Sequence, residues 1–149
     1  KSKAAGNYIN SVLAKHEVKK AGYDEAVMLD AEGYVSEASG ENIFIVRDRK
    51  LKTTPLTSIL PGITRDSVIT LARDKGYEVV EERFTRDELY TADEAFFTGT
   101  AAEVTPIREV DDRQIGAGCR GPVTEAIQGA FFDAVKGRDK KYLGWLTYL

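Results

Sequence analysis

Cysteine is almost missing from this sequence of 149 residues, with Cys119 the only one, and His16 is the only histidine. A lone thiol excludes an internal disulfide framework, and one Cys with one His leaves little from which to build a zinc site, so no metal is expected. Charge of one sign is not in excess either: 21 Lys plus Arg stand against 24 Asp plus Glu, a formal net charge of -3. That balance offers no basic stripe to nucleic acid or to a membrane surface. No apolar run approaches the ~20 residues of a transmembrane helix. What is present, 42% hydrophobic and 30% charged residues, is a globular composition. The length suits one domain, residues 1–149, with a real core. A soluble, cytoplasmic, mildly acidic domain is expected. Lys1 opens directly onto functional-looking sequence, without an initiator methionine or a leader, as expected of a piece of a longer protein.

Periodicity predicts a helix over Asn7 to Ala21, with Ile9, Val12, Leu13 and His16 on one side and Gly22 to end it. His16, on that apolar side, is expected to be a satisfied core histidine. A buried strand is predicted over Glu25 to Asp30, a turn at Glu32-Gly33 and an extended segment from Tyr34. Asn42 to Val46 reads as a strand, joined through Asp48-Arg49 to another at Leu51 to Thr53. Pro55 to Gly62 is a loop, and Arg65 to Lys75 a helix with Asp66 in its first turn and Gly76 after it. Strands follow at Glu78 to Glu81 and Glu94 to Thr98, with a short helix over Arg86 to Tyr90 between them. Ala102 to Val110 is extended, and Pro106 marks an edge or a bulge. A glycine-rich loop, Gly116 to Gly121, precedes a last helix from Pro122 to Val135, and the tail from Gly137 to Leu149 is expected to pack on the surface. Strands and helices mix without strict alternation. That favours an α/β fold with a mixed, curved sheet and helices around it over a doubly wound parallel sheet.

Four stretches place small residues beside chemically capable side chains. In Lys3-Ala-Ala-Gly6-Asn7-Tyr8, a lysine ahead of a helix can be enclosed and become available as an amine, which can condense with an aldehyde cofactor. Taken alone, it is equally an ordinary solvated lysine. In Ser36-Glu37-Ala38-Ser39-Gly40-Glu41-Asn42-Ile43-Phe44, Glu37 sits at a strand end where a flat ring can approach the backbone. A carboxylate facing a pyridine nitrogen keeps it protonated, although an incidental acid in a tight loop has the same look. Leu60-Pro61-Gly62-Ile63-Thr64-Arg65 opens a helix whose backbone N–H groups favour an anion, or is simply a capped helix start. Thr98-Gly99-Thr100-Ala101-Ala102-Glu103 follows a buried strand with small residues and a hydroxyl.

In this order the stretches resemble one family closely, the class IV, fold-type IV, pyridoxal-phosphate aminotransferases, from Lys3 to about Trp145. The long pattern from Glu37 to Arg65 carries most of the specificity. The resemblance implies the pseudo-barrel C-terminal domain of that fold and pyridoxal 5'-phosphate as cofactor. It further implies that Lys3 bonds the cofactor and shuttles the proton between the substrate Cα and the cofactor C4′. Tyr8 would hydrogen-bond the phenolic oxygen, and Glu37 would pair with the pyridinium nitrogen. The N–H groups of Ile63 and Thr64 and the hydroxyls of Thr64 and Thr100 would hold the phosphate, with the Thr100 and Ala101 backbone near the substrate carboxylate. Gly-Asn-Tyr, Gly-Thr-Ala-Ala-Glu and the loop before Pro122 are similar to bacterial branched-chain aminotransferases, which implies leucine, isoleucine or valine with 2-oxoglutarate. A D-amino-acid aminotransferase, an aminodeoxychorismate lyase or a catalytically silent fragment stay open as alternatives. The family's smaller N-terminal domain is not in this sequence, and a homodimer or higher homo-oligomer is the family's expectation.

Gly116-x-Gly-x-x-Gly121 has dinucleotide-fingerprint spacing but lacks a βαβ context, and a wall of the active site is the expected role. Cys119 is expected to be unreactive. Glu41, Glu103 and Arg65 are expected to tie loops together.

Overall fold

The computed structural model describes residues 3–147. A 3-10 turn, Ala5–Tyr8, leads into helix α1, Ile9–Lys20. Strands β1, Val27–Leu29, and β2, Val35–Ala38, pair antiparallel as a ribbon. Then come β3, Asn42–Arg47, β4, Lys50–Thr53, α2, Ile63–Asp74, β5, Val79–Glu81, and α3, Arg86–Tyr90. Next are β6, Glu94–Gly99, β7, Glu103–Pro106, β8, Glu109–Val110, and β9, Arg113–Gln114. Helix α4, Pro122–Val135, and a 3-10 turn, Lys140–Trp145, close the order.

Five strands form one mixed sheet in the order β5-β4-β3-β6-β7, in which only β4 and β5 run parallel. The α/β class and the mixed sheet with helices around it are thus as expected. Central β3 is buried on both sides, so its sequence is apolar without alternation. Phe44 and Val46 pack with Val68, Leu71, Ile127 and Phe131 of α2 and α4, whereas Ile43 and Ile45 pack with Phe84, Leu89 and Ile115. Phe44 and its cross-strand partner Phe96 stack at 5.0 Å, and truncating either to Ala would cost about 3–5 kcal/mol. The β3–β4 hairpin turns through Asp48 and Arg49, both at positive φ (50° and 62°), the conformation that matches strand twist in a two-residue loop.

Glu94 fixes how α4 meets the sheet. Its buried carboxylate accepts the N–H groups of Val123 (2.9 Å) and Thr124 (2.7 Å), capping the helix from the start of β6. A Cβ on Gly121 would lie 2.2 Å from the Glu94 Cδ, so this approach requires glycine.

Four expectations need correction. His16 is exposed, because α1 buries none of its residues and leaves Ile9, Val12 and Leu13 more than 60% exposed. Periodicity identifies the apolar face of a helix but not whether anything packs on it. The strand predicted over Glu25 to Asp30 is only β1, and Leu29 is exposed at its end. The segment after Pro106 makes a separate ribbon, β8 with β9, turning through Asp111 and Asp112 at φ 50° and 60°. The tail does more than cover the surface: Tyr142 is buried in the core against α4, with Trp145 packed on its ring at 4.5 Å.

Candidate functional site

Glu37 is half-buried in β2, one residue before that strand ends. Its Oε2 accepts the Leu60 N–H at 3.0 Å and the side-chain amide of Asn42 at 3.2 Å. Asn42, the first residue of β3 and 4% exposed, also donates to the Leu60 carbonyl at 2.9 Å. One side chain therefore ties the acid to the loop that enters α2. Sequence reasoning does not single out Asn42 as a site residue. The available signal is a polar residue opening an otherwise apolar strand, five positions after the acid.

Gly62 follows and is the N-cap of α2, without a capping side chain. A Cβ there would stand 2.2 Å from the Asn42 Oδ1, so glycine is what lets the helix start lie against Asn42. Ile63 and Thr64 are the first helical residues, two positions earlier than periodicity predicts, and their N–H groups have no acceptor within the helix. The Ile63 side chain is 84% exposed and Thr64 is buried. Arg65, also buried, turns away from the helix start and bonds the Thr54 carbonyl and the Glu81 carboxylate, each at 2.8 Å. This is the tying role expected of it.

Asn42 pairs with Thr98 across β3 and β6, which brings the Gly99–Ala102 turn to the same end of the sheet. Thr100 and Ala101 are exposed in that turn. Glu41 packs behind it: a Cβ on Gly99 would meet the Glu41 Cγ at 3.2 Å. Burial, together with the neighbouring Glu25 carboxyl, raises the Glu41 pKa above its ordinary value. Burial also disfavours the Glu25 charge, but hydrogen bonds from Lys15, Ser39 and the Ala26 N–H outweigh it, and its pKa is lowered. Glu103, expected to tie loops, is exposed at φ 54°.

Of the residues expected to form the site, the fold collects Glu37, Ile63, Thr64, Thr100 and Ala101 at one sheet end. Lys3 is exposed ahead of the 3-10 turn, and Tyr8 is half-buried at its end. The glycine loop, expected to form a wall of this site, lies elsewhere. Cβ atoms on Gly116 and Gly121 would strike Asp93 and Glu94, at the start of β6 and the opposite end from Thr98. Of its glycines, Gly121 makes room for the Glu94 cap of α4, whereas Gly116 lies against the Asp93 backbone and Gly118 against the Gln114 side chain. Cys119 is exposed in that loop.

A small-residue cradle, a held carboxylate and a helix start are therefore assembled together, and comparison with known proteins says what such an arrangement belongs to. The Amino-transferase class IV family model matches residues 3–110. A branched-chain-amino-acid aminotransferase of Pseudomonas aeruginosa is 59% identical over 147 residues, covering 99% of this chain and 48% of that protein. The T.th. branched-chain amino acid aminotransferase, solved as a complex with N-(5'-phosphopyridoxyl)-L-glutamate, superposes with a TM-score of 0.97 at 56% identity. That match covers 99% of this chain and 50% of the other. The same enzyme complexed with 4-methylvaleric acid agrees equally well, at a TM-score of 0.97. The chain spans about half the length of the relatives it matches. With more than half of its residues matched by the family model and its fold shared by solved members, this chain belongs to the class IV aminotransferases.

Proposed function

We propose that this chain is the C-terminal, cofactor-holding part of a branched-chain amino acid aminotransferase dependent on pyridoxal 5'-phosphate. The observation that carries the reading is the Glu37 carboxylate, fixed by Asn42 and the Leu60 N–H beside the start of α2. The residues present fit the cofactor. Gly62 keeps the cradle open, the N–H groups of Ile63 and Thr64 suit a phosphate, and the Gly99–Ala102 turn brings no bulk. When bound, pyridoxal phosphate supplies the aldehyde carbon that takes up the amino group and a ring that draws electrons from the substrate Cα.

The residues of this chain do the rest. Glu37 holds a proton at the ring nitrogen, and the Asn42 amide and the Leu60 N–H keep the carboxylate in place for that. Ile63, Thr64 and the Thr100 hydroxyl orient the phosphate, and Tyr8 donates to the phenolic oxygen. The amine of Lys3 takes the proton from the substrate Cα and returns it at C4′. The Thr100 and Ala101 backbone faces the substrate carboxylate. The substrates are a branched-chain amino acid and a 2-oxo acid, in keeping with relatives named for the former and solved with a glutamate adduct or 4-methylvaleric acid.

The exposed Ile9, Val12 and Leu13 of α1 favour a further domain, preceding this one in the whole protein, laid against that helix. A homo-oligomer and a cytoplasmic location complete the proposal. Among the described residues, no helix is long and apolar enough to cross a membrane.

The test is visible absorbance after adding pyridoxal phosphate, then borohydride trapping and peptide mapping. A yellow species trapped on Lys3, and lost in Lys3→Ala, is the expected result. Trapping on Lys3 only when the missing half is supplied would assign cofactor binding to the whole protein. No adduct on Lys3 in either form would overturn the reading.

A further inference from the structure

We propose that Thr54 is a positioning residue of the cradle: through two buried hydrogen bonds it sets the first turn of α2 against the strand that carries Glu37. What the cradle holds rests on the proposed function; the joint itself is argued from contacts.

Thr54 is the first residue after β4 and opens the loop that leads to α2. Loops ordinarily run over the surface, where water satisfies their polar groups, yet Thr54 is 1% exposed. A polar residue so placed needs protein partners, and Thr54 has one on each side. Its hydroxyl donates to the Ser36 carbonyl at 2.8 Å, and its own carbonyl accepts Nη2 of Arg65 at 2.8 Å. Ser36 immediately precedes Glu37 in β2, and Arg65 immediately follows Ile63 and Thr64 in α2. The first turn of the helix and the peptide that carries Glu37 are therefore joined by two hydrogen bonds, with Thr54 between them. The flanking groups are themselves held. The Ser36 hydroxyl donates to the Ser58 carbonyl at 3.2 Å, and Nη2 of Arg65 also meets the Glu81 carboxylate at 2.8 Å.

Near the other end of the loop, Asn42 ties the Leu60 carbonyl to β3, and the Leu60 N–H reaches Glu37. The loop is thus clasped to β2 twice, at Thr54 and at Leu60. Gly62 brings α2 no side-chain cap, so these clasps set where the helix begins. A ligand held by Glu37 at a ring nitrogen and by the Ile63 and Thr64 N–H groups at a phosphate spans both elements. Its affinity depends on their separation, because such contacts must be kept within ~0.5 Å of their productive geometry. Valine at position 54 has the shape of threonine without the donor. It would take that partner from the Ser36 carbonyl and loosen the loop from β2.

The test is amide hydrogen exchange, followed by NMR, in the 149-residue chain without cofactor. Thr54→Val should speed exchange of the Leu60 amide about tenfold more than that of Leu71 in the core of α2, through local opening of the loop. Thr54→Ser keeps a donor and should restore the slow exchange at Leu60. Arg65→Lys breaks the joint from the helix side and should repeat the Thr54→Val pattern, a second check if that variant folds poorly. Binding supplies a readout that a general loss of stability does not move. Inorganic phosphate occupies the helix start alone, whereas pyridoxamine 5'-phosphate spans both elements without having to bond Lys3. Thr54→Val should weaken the second about tenfold more than the first. Equal quickening at Leu60 and Leu71, no rescue by Thr54→Ser, or equal weakening of the two ligands would overturn the inference. Failure of pyridoxal phosphate to bond Lys3 would count against the proposed function and leave the exchange result standing.

Discussion

Replacing Gly62 by alanine isolates what the glycine does for the site. Its backbone, φ -71° and ψ 136°, is open to any L residue, so strain is not the issue. At such a position Gly→Ala ordinarily stabilises by about 0.4–1 kcal/mol, by reducing the freedom of the unfolded chain. Here the new Cβ would fall 2.2 Å from the Asn42 Oδ1, well inside the 3.0 Å that real Cβ contacts essentially never breach. Asn42 is buried at the start of the central strand and cannot retreat with its backbone. Its side chain must swing, losing the bonds to the Leu60 carbonyl (2.9 Å) and to Glu37 (3.2 Å). At about 1 kcal/mol for the neutral bond and about 1.5–3 kcal/mol for the one to a carboxylate, the loss is about 3 kcal/mol. After the entropic gain, a net destabilisation of about 2–3 kcal/mol is expected, or a fall in Tm of roughly 4–12 °C for a chain of this size. Urea unfolding followed by circular dichroism reads this directly. Gly129→Ala is the control: nothing lies within 4 Å of its Cβ in mid-α4, and it should stabilise by about 0.5–1 kcal/mol. In an Asn42→Ala background the cost of Gly62→Ala should largely vanish. If Gly62→Ala proved as benign as Gly129→Ala, or cost the same without Asn42, the reasoning would be refuted.

The same logic applies at the other end of β6. Gly121→Ala should cost about 2–4 kcal/mol by driving Glu94 off the Val123 and Thr124 N–H groups, and little in a Glu94→Ala background. Additive costs in that double-mutant cycle would exclude the capping explanation. Thr98→Val should raise stability by about 1 kcal/mol, since the Thr98 hydroxyl is buried with no hydrogen-bond partner among the described residues. A loss of more than that in thermal unfolding would show the hydroxyl to be satisfied. Stability should also depend on pH from both sides. The Glu25 contribution is complete above the ordinary Glu pKa and is lost as pH falls through the lowered folded value. The Glu41 contribution is complete below the ordinary value and is lost as pH rises through the raised folded one. Thermal unfolding across pH should therefore show the parent chain losing an alkaline-side increment that Glu41→Gln does not lose; parallel curves would contradict this dependence.

Much of this architecture is written locally in the chain. The bounds of α4 follow from Pro122 at its first position and Gly137, at φ 66°, after its end, both one-residue signals with one physical meaning. Central β3 is legible because burial on two faces makes its whole run apolar. The start of α2 is less legible because Ile63 is exposed and adds nothing to the periodicity, while Gly62 caps without a side chain. Where expectation and fold part, the missing information is long-range. The apolar stripe of α1 is real, but only the fold reveals that no described residue covers it, and His16 goes out with it. The glycines from Gly116 to Gly121 announce close approach without saying to what, and the fold sends them to Asp93, Gln114 and Glu94 rather than to Glu37. Asn42 shows the limit most clearly. Its place in a strand can be read, yet its role exists only because an acid five residues before it and a loop eighteen residues after it converge on one amide. Site residues that touch a ligand leave patterns in sequence through their chemistry, whereas residues that hold them acquire their meaning from the fold.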